Sequence, residues 1–97
     1  MSAVSRIYRA PSLQAAYRAW QDTAGRVVPE SIATEALIAR AVVDAAHAGY
    51  RLASGFDTEL GYWAELRRGD LVVARVGRLD HEARAVMQVM SEAGLAA

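Results

Sequence analysis

The chain predicts an α+β domain: two N-terminal helices, a three-stranded antiparallel sheet and a C-terminal helix. Three observations carry that prediction. Apolar residues recur at helical spacing from Leu13 to Trp20 and fill most of Ala36 to Ala48, the period changes to alternation after Gly49, and helical spacing returns after Asp80. With 97 residues, 54% of them hydrophobic, there is material for one core and no second domain.

Residues 1–10 read as an N-terminal arm or a short edge strand, because Val4, Arg6 and Tyr8 alternate with Ser5, Ile7 and Arg9. Residues 11–97 form the single compact domain. After Pro11, Ser12 is placed to cap a helix whose apolar stripe is Leu13, Ala16, Tyr17 and Trp20, ending near Gly25. Pro29 suits a first helical position and Glu30 complements the helix dipole, so a second helix runs to His47 or Ala48 and closes at Gly49. Between Ala36 and Ala48 its only strongly polar residues are Arg40, Asp44 and His47, on one narrow stripe. That stripe fits a hydrogen-bonded row on an exposed edge. The remaining circumference is apolar and requires a second cover besides a sheet: another part of the chain, a second copy or a partner.

Tyr50 to Ser54 reads as a strand and residues 55–61 as a connection. Tyr62 to Val76 reads as two strands joined at Arg68-Gly69, where glycine permits the positive φ of a tight turn. Pairing Arg67 with Asp70 places Tyr62, Ala64, Leu66, Leu71, Val73 and Arg75 on one face. Trp63, Glu65, Arg67, Asp70, Val72, Ala74 and Val76 fall on the other. A competing reading makes Asp57 to Arg68 a helix capped by Asp57 and stopped by Gly69. Asp80 then caps a last helix from His81 to Ala93 that buries Ala83, Val86, Met87 and Met90 and ends at Gly94.

The last five elements share the α-β-β-β-α order of double-stranded-RNA-binding domains, and the stretch Ala64 to Met87 resembles their hairpin-then-helix shape. The likeness is one of topology. Those domains open their last helix with phosphate-binding lysines, whereas this chain has Asp80, His81 and Glu82 there, which repel phosphate.

Charge and composition exclude several classes of function. Eleven arginines balance eleven acidic residues, so the summed field attracts neither nucleic acid nor an anionic membrane. Cysteine is absent, which removes thiolate catalysis and cysteine metal sites. Apolar runs fall well short of the roughly 20 residues that span a bilayer, and the first residues lack a signal-peptide core, which predicts a cytoplasmic protein. The absence of lysine and asparagine beside abundant alanine and arginine suggests GC-rich coding in a bacterium or its phage.

Nothing in the chain has the spacing of a catalytic site. No serine or threonine sits in a glycine-flanked elbow, no carboxylates stand at catalytic spacing, and His81 has no metal-binding companion at i+4. The expectation is therefore no enzymatic activity, no cofactor, no metal and no small-molecule substrate. Arg68-Gly69-Asp70 spells an adhesion tripeptide, but turn chemistry accounts for it.

The predicted function rests on apolar surface in excess of cover. In the register above, Trp63 joins Val72, Ala74 and Val76 in an apolar patch edged by Glu65 and Arg67, and Val42 marks the back of the second helix. One short amphipathic helix buries about one stripe and cannot cover both. These residues are the candidate partner-binding site of a small regulator or inhibitor that covers a protein surface, with a second copy of the chain or a different protein as partner. The alternative is a nucleic-acid-binding module using Arg51, Arg67, Arg68, Arg75, Arg78 and Arg84 as a local patch, interrupted by Glu65, Asp70, Asp80 and Glu82.

Overall fold

A computed structural model of the chain describes residues 2–23 and 30–96. In order the elements are α1 (Ala3–Arg9), α2 (Leu13–Thr23), α3 (Glu30–His47), β1 (Arg51–Asp57), β2 (Gly61–Arg68), β3 (Leu71–Leu79) and α4 (Glu82–Glu92). The predicted α-α-β-β-β-α order is present, preceded by one additional helix. The helix signals at Gly25 and Pro29 lie outside the described residues.

That additional helix corrects the expected arm or edge strand. Seven residues do not hold a helix alone in water. Here Ser2 Oγ accepts the Ser5 N–H, and Ile7 is fully buried. At the far end, Arg40 of α3 donates from Nη1 to the carbonyls of Ile7, Tyr8 and Ala10. Arg40 and Asp44 are thus hydrogen-bonded as the stripe suggests, but Arg40 is turned into a tertiary cap for α1 and does not stand on an exposed edge, while His47 is exposed beyond them.

Ser12 caps α2 as its position suggests, its Oγ accepting the Ala15 N–H at 3.1 Å. Leu13, Ala16, Ala19 and Trp20 are buried. The Trp20 indole donates to Thr34 Oγ1 at 2.9 Å, which ties α2 to α3. Gly49 closes α3 with φ 88°, a conformation that glycine adopts without strain.

The sheet has the order β1-β2-β3, antiparallel throughout. The segment from Gly61 to Arg68 is a strand, so the competing helix does not form. Its helix-like start comes from Asp57, whose Oδ1 accepts the N–H groups of Glu59 and Leu60 in the turn after β1. β1 runs to Asp57, three residues past the predicted end at Ser54.

The β2–β3 hairpin departs from the expected register in two ways. Its loop is Gly69-Asp70, with Arg68 opposite Leu71, so Arg67 and Asp70 do not pair. Positive φ falls on Gly69 and not on Asp70, the pattern of a turn with glycine first. More consequentially, the register shifts between Leu66 and Arg67: Arg67 opposes Val72, yet Leu66 opposes Ala74. The extra residue, Val73, makes a β-bulge, and from there the side chains of β3 change faces. Ala74 and Val76 turn into the core, and Arg75 turns out to meet Glu65. A second shift, around Gly77 and Arg78, reverses the faces again and brings Leu79 opposite Tyr62.

The layers follow from these contacts. α4 lies across the inner face of the sheet, burying Ala83, Val86, Met87, Val89 and Met90 against Leu52, Ala64, Leu66 and Val76. Each large side chain fully buried there contributes about 1.5–3 kcal/mol relative to exposure. The α4 N-cap is His81, one residue after the predicted Asp80, which instead pairs with Arg84. α3 packs beside β1 and α4, and α1 and α2 cover α3 from the other side without reaching over the sheet. The result is a slab of 39 × 31 × 16 Å in which, among the described residues, no helix covers the outer sheet face.

Candidate functional site

Among the described residues, the outer face of the sheet and one stripe of α3 both lack a covering helix. The sheet face is built from cross-strand neighbours. Gly55 opposes Trp63, Ala53 opposes Glu65 and Arg51 opposes Arg67 between β1 and β2, while Arg75 of β3 flanks Glu65 on the other side. Side chains two residues apart on a strand share a face, so Trp63, Glu65 and Arg67 project together.

Glu65 is the hub of this face. It is only 8% exposed, and it accepts from Arg67 Nε at 2.9 Å, Arg75 Nε at 3.0 Å and Arg75 Nη2 at 2.8 Å. The Arg75 hydrogen bonds hold its carboxyl below the ordinary value of 4.5; burial opposes them, and Arg67 adds to the lowering by hydrogen bond and charge. One carboxylate therefore orients two guanidiniums. Arg51 has no ion pair among the described residues and adds a third cation. The Trp63 indole lies over Gly55, where a Cβ would sit 3.2–3.4 Å from three of its ring atoms. Trp63, Glu65, Arg75 and Arg78 also line a shallow cleft of about 580 Å³.

The second surface is on α3. Its buried residues Ala33, Ala36, Leu37, Ala41 and Ala45 form one stripe. Away from that stripe, Ile32 is 48% exposed, Val42 41% and Val43 50%, with Ala46 also exposed and Ala39 half-buried. Ile32, Glu35, Ala39, Val42 and Ala46 follow one another at spacings of three and four, which puts them on a single seam.

No protein-family model matches this chain, and no curated protein or solved structure matches it either. Its chemistry must be read from the two surfaces themselves.

The predicted partner-binding residues are thus divided. Trp63, Glu65 and Arg67 share the outer sheet face, and Val72, opposite Arg67, belongs with them. Ala74 and Val76 are turned toward the core by the bulge, and of the two only Val76 also lines the cleft beside Trp63, together with Leu60. Val42 stands on the separate α3 seam. Of the arginines in the alternative patch, Arg67 and Arg75 meet at Glu65, and Arg51 stands opposite Arg67 on the neighbouring strand. Arg68 instead lies over the Tyr50 ring at 4.5 Å, and Arg84 pairs with Asp80. The grouping of Arg75 with Glu65 was missed, although its signal is in the sequence: a straight hairpin would have placed Arg75 on the core face beside Leu66.

His81 is occupied structurally. Its Nδ1 accepts the Ala83 N–H, which leaves the ring hydrogen on Nε2 for Glu30 Oε1 at 2.6 Å. The ring also packs edge-on against Trp20 and stacks with Tyr62. Among the described residues no group of three or more His, Cys, Asp or Glu could hold a metal ion, and no helix is long and apolar enough to cross a membrane.

Proposed function

We propose that the protein is a non-enzymatic protein-binding module that pairs with a second copy of itself through the outer seam of α3. The reading extends to a small regulator or inhibitor of bacterial or phage origin acting in the cytoplasm. The observation that carries it is the uncovered seam of Ile32, Glu35, Ala39, Val42 and Ala46, apolar except for Glu35 and widened by Val43, on an 18-residue helix whose opposite side is packed. The seam length, about 1.5 Å per residue from Ile32 to Ala46, gives roughly four turns of contact.

A second copy fits for a specific reason. Residues at alternating three- and four-residue spacing on one helix mesh with the same spacing on another, and Ala39 and Ala46 let two backbones approach closely. A two-fold pair uses the same patch on both protomers and leaves no seam open. Light scattering coupled to size exclusion tests the reading. The expected result is a dimer that Val42→Asp converts into a folded monomer, because Val42 contributes little to the core. A wild-type chain that stays monomeric at high concentration overturns it.

A further inference from the structure

The bulge that turns Ala74 inward also brings Arg75 out beside Glu65, so that guanidiniums flank the Trp63 ring in a cleft that Leu60 and Val76 line as well. We propose that this face binds single-stranded nucleic acid, with a base stacked on the Trp63 indole and backbone phosphates held by Arg51, Arg67 and Arg75. The site is distinct from the α3 seam and does not depend on it.

Charge segregation is the first support. The chain is neutral overall, yet three adjacent strands each present an arginine on this face: Arg67 and Arg75 bonded to one carboxylate, and Arg51 opposite Arg67. Glu65 takes one N–H from Arg67 and two from Arg75. A guanidinium carries five such donors, so most of each fork remains available to an anion. The shared carboxylate fixes both planes before any ligand arrives, which lowers the ordering cost of binding. Arg78 borders the same cleft. Asp57 lines it too, with Oδ1 accepting the backbone N–H groups of Glu59 and Leu60.

Trp63 supplies the second support. Its indole rests on Gly55, which has no side chain to lift it, and the ring borders the open cleft. An acidic peptide would satisfy the arginines but has no planar group that the indole requires. A duplex offers phosphates but keeps its bases stacked inside. A single strand offers both, a base face and a charged backbone, and aromatic rings interleaved with cations are the usual platform for it.

Successive outward positions on β2 lie about 7 Å apart, so Trp63, Glu65 and Arg67 span the reach of two to three nucleotides. Stacking on one ring and contacts to about three phosphates place the dissociation constant in the micromolar range at low salt, with log K falling against log salt at a slope of about −2.

The test uses the full chain and a fluorescein-labelled oligothymidylate or oligouridylate of about ten nucleotides, titrated at about 50 mM salt and followed by anisotropy and tryptophan emission. Expected are saturable binding, quenching of tryptophan emission that Trp63→Leu removes, and affinity lowered about tenfold or more by Trp63→Leu. Arg51→Gln, at an exposed residue without an ion pair, should weaken binding several-fold and flatten the salt slope while circular dichroism stays that of the parent. Absence of saturable binding up to about 100 µM protein overturns the proposal. So does equal affinity for a duplex of the same length, equal competition by oligoglutamate, or unchanged affinity in folded Trp63→Leu and Arg51→Gln.

Discussion

Arg40 and Ala10 lie thirty residues apart in the chain, and the guanidinium of one donates to the carbonyl of the other at 2.8 Å. With Ile7 and Tyr8 served by the same nitrogen, α1 is closed by a side chain from α3. Arg40→Ala leaves these carbonyls without that donor and Asp44 without its partner. The expected loss is on the order of 2 kcal/mol in urea unfolding, and Arg40→Lys, with one compact ammonium in place of the planar fork, should recover only part of it.

Glu65 gives the protein an acid-sensitive bond. Its carboxyl titrates lower in the folded chain than in the unfolded one, because Arg75 and, after the opposing effect of burial, Arg67 favour the ionised form. The stabilisation is therefore complete above the ordinary carboxylate value of 4.5 and is lost as pH falls through the lower folded value. Glu65→Gln should lower stability by about 1–2 kcal/mol at neutral pH, a figure moderated by the exposure of Arg75. The stability curves of parent and variant should converge in acid, measured by urea unfolding from pH 7 down to about 3.

Arg78 occupies left-handed backbone at φ 63° in the second bulge, and Gly61 sits against it at φ 64°. A Cβ at residue 61 would meet the Arg78 Cα at 3.3 Å and the Leu79 carbonyl oxygen at 3.5 Å. Arg78→Gly should raise stability by about 1 kcal/mol by relieving the backbone, whereas Gly61→Ala should lower it by more than that. Paired thermal melts decide it: the two changes should move Tm in opposite directions, by about 4–8 °C per kcal/mol.

Gly55→Ala tests the seat of the indole. The added methyl would stand 3.2–3.4 Å from Trp63 Cζ2, Cε2 and Nε1, so the ring must shift by a few tenths of an ångström. A loss of about 1 kcal/mol and an altered near-ultraviolet dichroism of tryptophan are expected. An unchanged spectrum would mean that the ring is not held there.

Much of the fold is legible because its signals are local. Ser12 precedes its helix, Gly49 and Gly94 end theirs, and α4 buries the residues its 3.6-residue period selects. α1 is hard to read because its closing group, Arg40, is remote, and the local sign of it is no more than a capping serine, Ser2, before seven residues too few to hold a helix alone. The hairpin failed for a different reason. Arg68-Gly69 and Gly69-Asp70 are both acceptable two-residue loops, and a bulge leaves no mark in a run such as Leu71, Val72, Val73 and Ala74, where every residue suits either face.

That ambiguity reaches the site itself. Trp63, Glu65, Arg67 and Val72 share a sheet face because they lie before the bulge in the hairpin's geometry; Ala74 and Val76, which lie beyond it, turn toward the core. The outer seam of α3 was visible as an excess of apolar residues, represented by Val42. Its full course through Ile32, Ala39 and Ala46 depended on knowing which side α1 and α2 would take.

The two bulges also decide where the sheet could grow. An irregular, twisted border disrupts the row of peptide groups that another strand would need, so β3 is a poor template for strand addition. β1 keeps an unbroken register with β2 along its whole length, from Arg51 to Asp57. Extension of the ladder by a foreign or misfolded segment is thus directed to one border of the molecule, where the outward-facing Arg51 and the terminal Asp57 are the charges that guard against it.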